Sequence, residues 1–597
     1  PHDGPGQDGS QDLTGPVPGG SSHTMRARSA ALFVGVVLSL SACSVSLVSS
    51  VTPPPTSKEP AGGTLHMLRL GPVESWDPQR LSVTADMAFA GRVFERTLTA
   101  WAPATQGDAM PSLVADLATD TGEVSNGGKQ WRFTLRSDAT WQDGRSVTCA
   151  DVKYGVSRTF ATSQITGGPT YALALLDVPR HADGSSTYAG PYAKTGQAAF
   201  NKAVACSGRT ITFKLAAPMQ DFSQVLAMPA FGPVRADKDL GAVSSTDIFS
   251  NGPYMLREPW VASRGGTFVR NPYWDSASDP VRSAHPGAID FQEGVPVETA
   301  ISRIMTTAGL DSFAVTADSA PPALQNNIMM TPAIKARSTN PRAPFVDYLL
   351  PNFSRPTMAN VSVRQALAVA TNREAYVTAL GGDTAAELTY AVINRSLPAH
   401  QDSNALNVPP RGDAVRARAL LQASGLPLPV RITVAYRSGA IADKAMAALQ
   451  QGWQDGGFLV TLEGLEKDYL AKIAEVANSR RYDVMWAVGS AVWPSGSSVI
   501  PSLFDSRVNL TAGFSGQDYG RFTNASINAR IDAAALIPNA SDREKAWGEL
   551  DRDLCAQVAV IALTNQRSVF VHGAGVKGYV DNQALGGTVD LATVAVR

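Results

Sequence analysis

Few residues in this chain are spaced to do covalent chemistry. Five histidines follow residue 43 (His66, His181, His285, His400 and His572), and they are scattered, with no ligand or triad spacing. A metal or nucleophilic site needs such groups clustered at short, fixed intervals. No H-E-x-x-H, C-x-x-C or phosphate-binding loop occurs, and Gly127-Gly128-Lys129 lacks the length to cradle a phosphate. Carboxylates are plentiful, but no pair stands at a spacing that implies acid–base work. The residue types therefore point away from catalysis, metals and cofactors. They point toward binding, through aromatics. Trp486 and Trp493 flank the segment Val488-Gly489-Ser490-Ala491-Val492, which leaves an apolar strand expected over 482–487. Ligand sites in wound α/β folds lie at the carboxyl ends of strands. There the two indoles would form aromatic walls, and the backbone of Gly489, Ser490, Ala491 and Val492 would offer a docking edge. Core or lobe-interface packing is the other use of two such tryptophans.

What must position these residues is a large chain. At 597 residues, with 44% hydrophobic and 17% charged side chains, it is globular and expected to form two or three domains or lobes. Omitting residues 1–42 removes two arginines and three aspartates from 51 basic and 52 acidic residues, leaving 49 of each. Such a balance provides no electrostatic footprint for nucleic acid or an anionic membrane surface.

Residues 1–24 carry no Lys or Arg and read as a linker or tail. From Met25 the chain carries Arg26 and Arg28, an apolar run over 30–40, and then Leu40-Ser41-Ala42-Cys43. A short basic region, a short apolar region and small residues before a cleavage point make a secretory signal peptide over 25–42. The run is too short to span a bilayer. The small residues ending in Cys43 resemble a lipobox, so acylation of Cys43 is expected, with 43–63 as a Pro-rich tether on the outer face of the membrane; an ordinary signal peptide is the alternative. An exported chain meets an oxidising compartment. Cys149 and Cys206 enclose an insertion rich in turn residues and are expected to pair, which on the chain-entropy model stabilises by about 4 kcal/mol. Cys555, in an apolar stretch, is expected to remain a buried thiol.

Strands are expected at 64–70, 131–135 and 210–215, and a helix at 85–98. Thr148 with Asp151 forms a capping box for a further helix. In the second half, Ser362 with Gln365 and Thr371 with Glu374 mark helix starts, Gly381-Gly382 marks a stop, and Asp413 caps a helix ending at Gly425. Strands at 430–434, 458–462 and 482–487 alternate with helices at 441–453 and 468–478, the sequence form of βαβ units. The fold class is α/β.

The order of short blocks is more specific than any one of them. Trp76-Asp77-Pro78, Phe94-Glu95-Arg96-Thr97-Leu98, Trp131-Arg132-Phe133-Thr134-Leu135-Arg136, and Trp141-Gln142-Asp143-Gly144 with Val147-Thr148-Cys149-Ala150-Asp151 resemble the family 5 solute-binding proteins, the dipeptide and oligopeptide binders. Asn251-Gly252-Pro253-Tyr254, Arg270-Asn271-Pro272-Tyr273-Trp274, Val363-Arg364-Gln365-Ala366-Leu367 and Tyr482-Asp483-Val484 continue the match, and the insertion around 160–206 is most like actinobacterial members. The resemblance implies a two-lobed periplasmic-binding-protein-like fold (type II) joined by a hinge: lobe I over 64–98, 218–309 and 565–597, an extra domain over 99–217, and lobe II over 310–564. It also implies a monomer that captures a peptide or peptide-like ligand for an ABC permease, with the ATPase on a separate chain. One position departs. Members that bind peptides often carry, in the loop after the 482–487 strand, an aspartate that pairs with the ligand's free amine; here that position holds Val492. Either another acid takes that role, or the ligand lacks a free α-amine. The alternatives are the same scaffold binding a non-peptide ligand, such as an oligosaccharide or a metal chelate, or acting as a sensor, and an exported hydrolase.

Overall fold

The computed structural model describes residues 62–105, 107–510 and 515–596. The tail 1–24, the signal segment 25–42, Cys43 and all but the last two residues of the tether lie outside them. Three large sheets organise the described residues. The first has five strands in the order Ala314–Thr316, Thr64–Leu68, Ala288–Gln292, Gly265–Arg270 and Tyr254–Leu256. Thr64–Leu68 runs parallel to both of its neighbours, and the remaining pairs are antiparallel. Trp76 fills the core on this sheet, its ring centroid 5.2–6.4 Å from those of Phe89, Phe94, Trp260, Phe268 and Phe291. The tryptophan of the first family block is therefore a packing residue.

The second sheet is antiparallel, in the order Glu123–Ser125, Gln130–Thr134, Thr210–Lys214 and Val204–Ser207. Helix Cys149–Arg158 packs on it and starts with the expected capping box: Thr148 accepts from the Asp151 N–H, and Asp151 accepts from the Thr148 N–H. Cys149 and Cys206 form a disulfide across 57 positions, tying the helix start to the edge strand. Cys555 is free and half-buried, its thiol within 3.4 Å of an Asp551 carboxylate oxygen.

The third sheet has six strands in the order Ala386–Leu388, Ile561–Arg567, Arg342–Pro351, Val484–Ser490, Val430–Arg437 and Phe458–Leu465. Val430–Arg437, helix Ala440–Asp455 and the parallel strand Phe458–Leu465 make the βαβ unit expected from the alternation. Helices lie on both faces, over separate apolar clusters built around Trp547 on one side and Trp453 on the other.

Several boundaries differ from the sequence reading. The helix expected over 85–98 ends at Val93, and Arg96 beyond it is drawn into buried contacts with Asp116 and Ser278. The helix expected over 468–478 breaks at Glu475, whose backbone is extended, into Tyr469–Ala474 and Val476–Ser479. Asn360 and Asn372, not Ser362 and Thr371, cap the two helices that follow. Thr371 instead donates back to the Leu367 carbonyl at 2.7 Å, closing the preceding helix. The strand expected over 482–487 runs from Val484 to Ser490. Ala314–Thr316, beyond the expected lobe boundary at 309, hydrogen-bonds into the first sheet, and Ile561–Arg567 carries the third sheet past 564.

Replacing Cys149 and Cys206 by serine together removes a cross-link across a long loop. A loss of about 2–5 kcal/mol in guanidinium unfolding is expected; unfolding unchanged in midpoint and slope would show that the cross-link constrains nothing.

Candidate functional site

Strand Val484–Ser490 decides where the candidate residues go. Along one edge it pairs with Arg342–Pro351 to its end, Gly489 opposite Val346 and Ser490 opposite Phe345. Along the other edge its register with Val430–Arg437 covers only Val484 and Met485. Beyond that point the two strands diverge. Gly489 and Ser490, expected in a loop, are thus the last residues of a strand whose second edge has opened. Ala491 and Val492 continue from it, with Val492 exposed.

The two tryptophans part company. Trp486 packs between the two cores of the third sheet. Its indole N–H donates to Tyr376 Oη at 3.0 Å, and that hydroxyl lies 3.5 Å from Asp347 Oδ2. Asp347 also accepts from Thr564 Oγ1 at 2.9 Å and Gln566 Nε2 at 2.8 Å, with no cation in the set. Burial therefore raises its pKa from 3.8 to about 6, against the lowering effect of these hydrogen bonds.

Trp493 leaves its own sheet and enters the core of the second one, with Trp131, Phe133 and Phe222. It meets Tyr171 edge-on at 5.9 Å, and its N–H donates to Ser497 Oγ at 2.9 Å. What holds it there is Asp221, a residue with no conspicuous motif. Asp221 occupies the N-cap position of the short helix Phe222–Val225 without capping it. Its carboxylate points away instead, accepting from Ser495 Oγ at 2.9 Å, Ser497 Oγ at 2.7 Å and both Nε and Nη2 of Arg543. Ser495 Oγ also lies 2.6 Å from Glu544 Oε1, and the Gly496 N–H donates to Glu544 Oε2 at 3.0 Å. One hydroxyl proton cannot serve both carboxylates. Burial pushes the Glu544 carboxyl upward, against the lowering effect of the Ser495 and Gly496 hydrogen bonds. Gly496 permits the approach: a Cβ on it would stand 2.3 Å from Trp547 Cβ.

Two cavities meet at Trp493. One, of 340 Å³, lies among residues 82–88, 167–171, 224–229, 394–397, 490–494 and 583–586. The other, of 740 Å³, is more apolar and is bounded by Leu175, Met219, Tyr348, Val488, Tyr519 and Trp547, with the Asp221–Arg543 pair in its wall. Tyr171, Ser490, Val492 and Trp493 border both; Gly489 borders only the larger, Ala491 only the smaller, and Trp486 neither. Sequence reasoning missed the partners from elsewhere in the chain (Tyr171, Gln224, Asn394 and Gln583), which sit in no motif. Among the described residues no group of three or more His, Cys, Asp or Glu could hold a metal ion, and no helix is long and apolar enough to cross a membrane.

The sequence model of the bacterial extracellular solute-binding proteins, family 5 Middle, matches residues 112–510. The chain belongs to this family. Its members are extracytoplasmic binding proteins, not enzymes. Among curated relatives, this family 5 protein is 25% identical over 296 residues to the oligopeptide-binding protein SarA of Streptococcus gordonii, covering 46% of this chain and 43% of SarA. It is 24% identical over 461 residues to the probable deoxycholate-binding periplasmic protein YgiS of Escherichia coli, covering 74% and 78%. Of solved structures, the clavulanic acid biosynthesis oligopeptide binding protein 2 superposes with a TM-score of 0.81 at 26% identity, over 90% of this chain and 96% of that one. The described architecture is thus the periplasmic-binding-protein-like fold expected from the sequence.

Two predictions follow from the buried acids. Arg543→Ala strands Asp221 without its cation, and a loss of about 3–5 kcal/mol in urea unfolding is expected, partly recovered in the double variant Asp221→Ala/Arg543→Ala. Equal losses in the single and double variants would rule out the coupling. For Asp347, the unfolded chain releases the proton near 3.8 and the folded one near 6. Its contribution is whole below pH 4 and is lost as pH rises through 6, a change of roughly 3 kcal/mol. Asp518 and Asp581, raised by burial to about 7, extend the same decline. Asp347→Asn should flatten the pH dependence of the urea midpoint between pH 4 and 6; an unaltered slope would exclude Asp347 as its source.

Proposed function

We propose that this chain is the substrate-binding lipoprotein of an ABC-type importer. It captures a peptide or peptide-like ligand between two hinged lobes and hands it to a permease whose ATPase is a separate chain. In this reading lobe I also takes in Ala314–Thr316, lobe II extends through Arg567, and the extra domain over 99–217 closes one side. The observation that carries the reading is the 340 Å³ cleft, bounded by segments of lobe I, the extra domain and lobe II together. A cleft assembled from three units binds its ligand better closed than open, which is the differential affinity that closure requires. Ser490, Ala491 and Val492 present main-chain groups at its edge, Gly489 continues that edge into the larger cavity, and Trp493 forms the aromatic wall; Trp486 supports the strand from behind. The relatives named for oligopeptides favour a peptide-like ligand. Acylated Cys43 holds the protein, a monomer, to the outer face of the cell membrane.

Native mass spectrometry of the purified protein should find a co-purifying ligand. Calorimetry with that ligand should show saturable binding without turnover. Trp493→Phe keeps a ring in the core but narrows the wall, and should weaken binding by about tenfold. Unchanged affinity removes Trp493 from the wall, and turnover of the ligand refutes the binding-protein reading.

A further inference from the structure

The cleft has a property that its size does not require: none of the side chains lining it is charged. Its polar groups are amides and hydroxyls, with Gln224, Asn394 and Gln583 the largest of them. The charged residues in the flanking segments are turned into partners of their own. Asp86, beside Met87 of the cleft, is ion-paired with Arg69. Arg395, between the lining residues Asn394 and Ser396, is paired with Asp402 and Glu387. Even the charges of the adjoining larger cavity are matched: Asp221 with Arg543, and Asp505 and Asp532 both with Arg507. No carboxylate is left for an ammonium group in the cleft, and no guanidinium for a carboxylate. The amide acceptor Gln224 Oε1, by contrast, is buried without a hydrogen-bond partner among the described residues, which suits a neutral N–H donor on the ligand.

We infer that this cleft selects ligands with uncharged ends: peptides blocked at both termini, or cyclic ones. The inference rests on the peptide-binding reading above and narrows it. A charged terminus carried into a closed site gives up its hydration, and here nothing replaces it. Amide groups of a blocked or cyclic backbone, by contrast, find Gln224 Oε1 with the hydroxyls and main-chain groups of the cleft, the Asn394 amide and the Gln583 N–H being bonded within the chain already. Val492 is the residue that sets this preference on the side of the strand end, because it is exposed there and apolar.

The test uses the full mature chain and matched tetrapeptide libraries of uncharged residues in three forms: free-ended, acetylated and amidated, and head-to-tail cyclic. Competition and calorimetry should show the blocked and cyclic forms binding at least about tenfold more tightly than the free-ended one. Val492→Asp places a carboxylate at an exposed position and should shift the ratio of free-ended to blocked affinity by about tenfold toward the free-ended library; an unchanged ratio counts against the inference. Free-ended peptides that bind the unaltered protein as well as blocked ones overturn the inference and leave the importer reading standing. Failure of all three forms to bind withdraws both.

Discussion

The carboxylate of Asp221 is the constraint on which the site depends. It is buried, and its cation, Arg543, lies 322 positions away on a helix that packs against a different sheet. An isolated buried charge is costly, so the arrangement persists only if the two parts of the chain come together completely. The serines at 495 and 497 occupy the remaining lone pairs, and this bends the segment after Trp493 back toward the second sheet. Trp493 then has one place to go, the core beside Tyr171. The aromatic wall between the two cavities is thus a consequence of an ion pair that touches neither the strand end nor the smaller cleft.

The same logic explains why the cleft is uncharged. Ion pairs in this chain tend to be local to a unit or to cross between units at buried points. Arg92 meets Asp590, Arg158 meets Asp77, and Arg282 meets Asp116 and Asp279. Each pair consumes charge in holding the scaffold, and the surfaces left to face one another across the cleft are built from small and apolar residues (Gly, Ala, Pro, Leu, Val, Met), aromatics and uncharged polar residues (Ser, Thr, Gln, Asn). A neutral lining costs little to desolvate, whereas lone charges on either side would have to be paired to be taken out of water.

Much of the fold was legible because its signals are local. Alternation marked Gln130–Thr134 and Val430–Arg437, the Thr148–Asp151 box marked a helix start, and the Cys149–Cys206 pairing followed from compartment and loop composition. The misplacements share a cause. Asn360 and Asn372 won the caps because a short amide reaches the orphan N–H groups at those positions, while Thr371 was already spent on the helix before it. The site was only half legible. Trp486 and Trp493 are alike in type and flank one segment, yet the first lies within a strand that places it between helices and the second lies past the strand end, free to cross to another sheet. Only the tertiary partners, Tyr376 for one and Tyr171 for the other, separate them. Asp221 carried no signal beyond a cap position that it does not use.

The blocks that reveal the family are scaffold, and this is why they identify the fold without naming the ligand. Asp77 of the first block accepts from Arg158 at 2.7 Å, and Arg96 of the second donates to Asp116 at 2.8 Å. Asn271 donates to the Gly252 carbonyl, joining two more, and Asp483 accepts from the Thr433 N–H inside the third sheet. None of these residues borders the 340 Å³ cleft. The residues that do border it, such as Gln224, Asn394 and Gln583, come from stretches between the blocks. A lining free of the scaffold's ion pairs can change residue by residue at little cost to folding. Ligand chemistry can therefore vary over a constant frame.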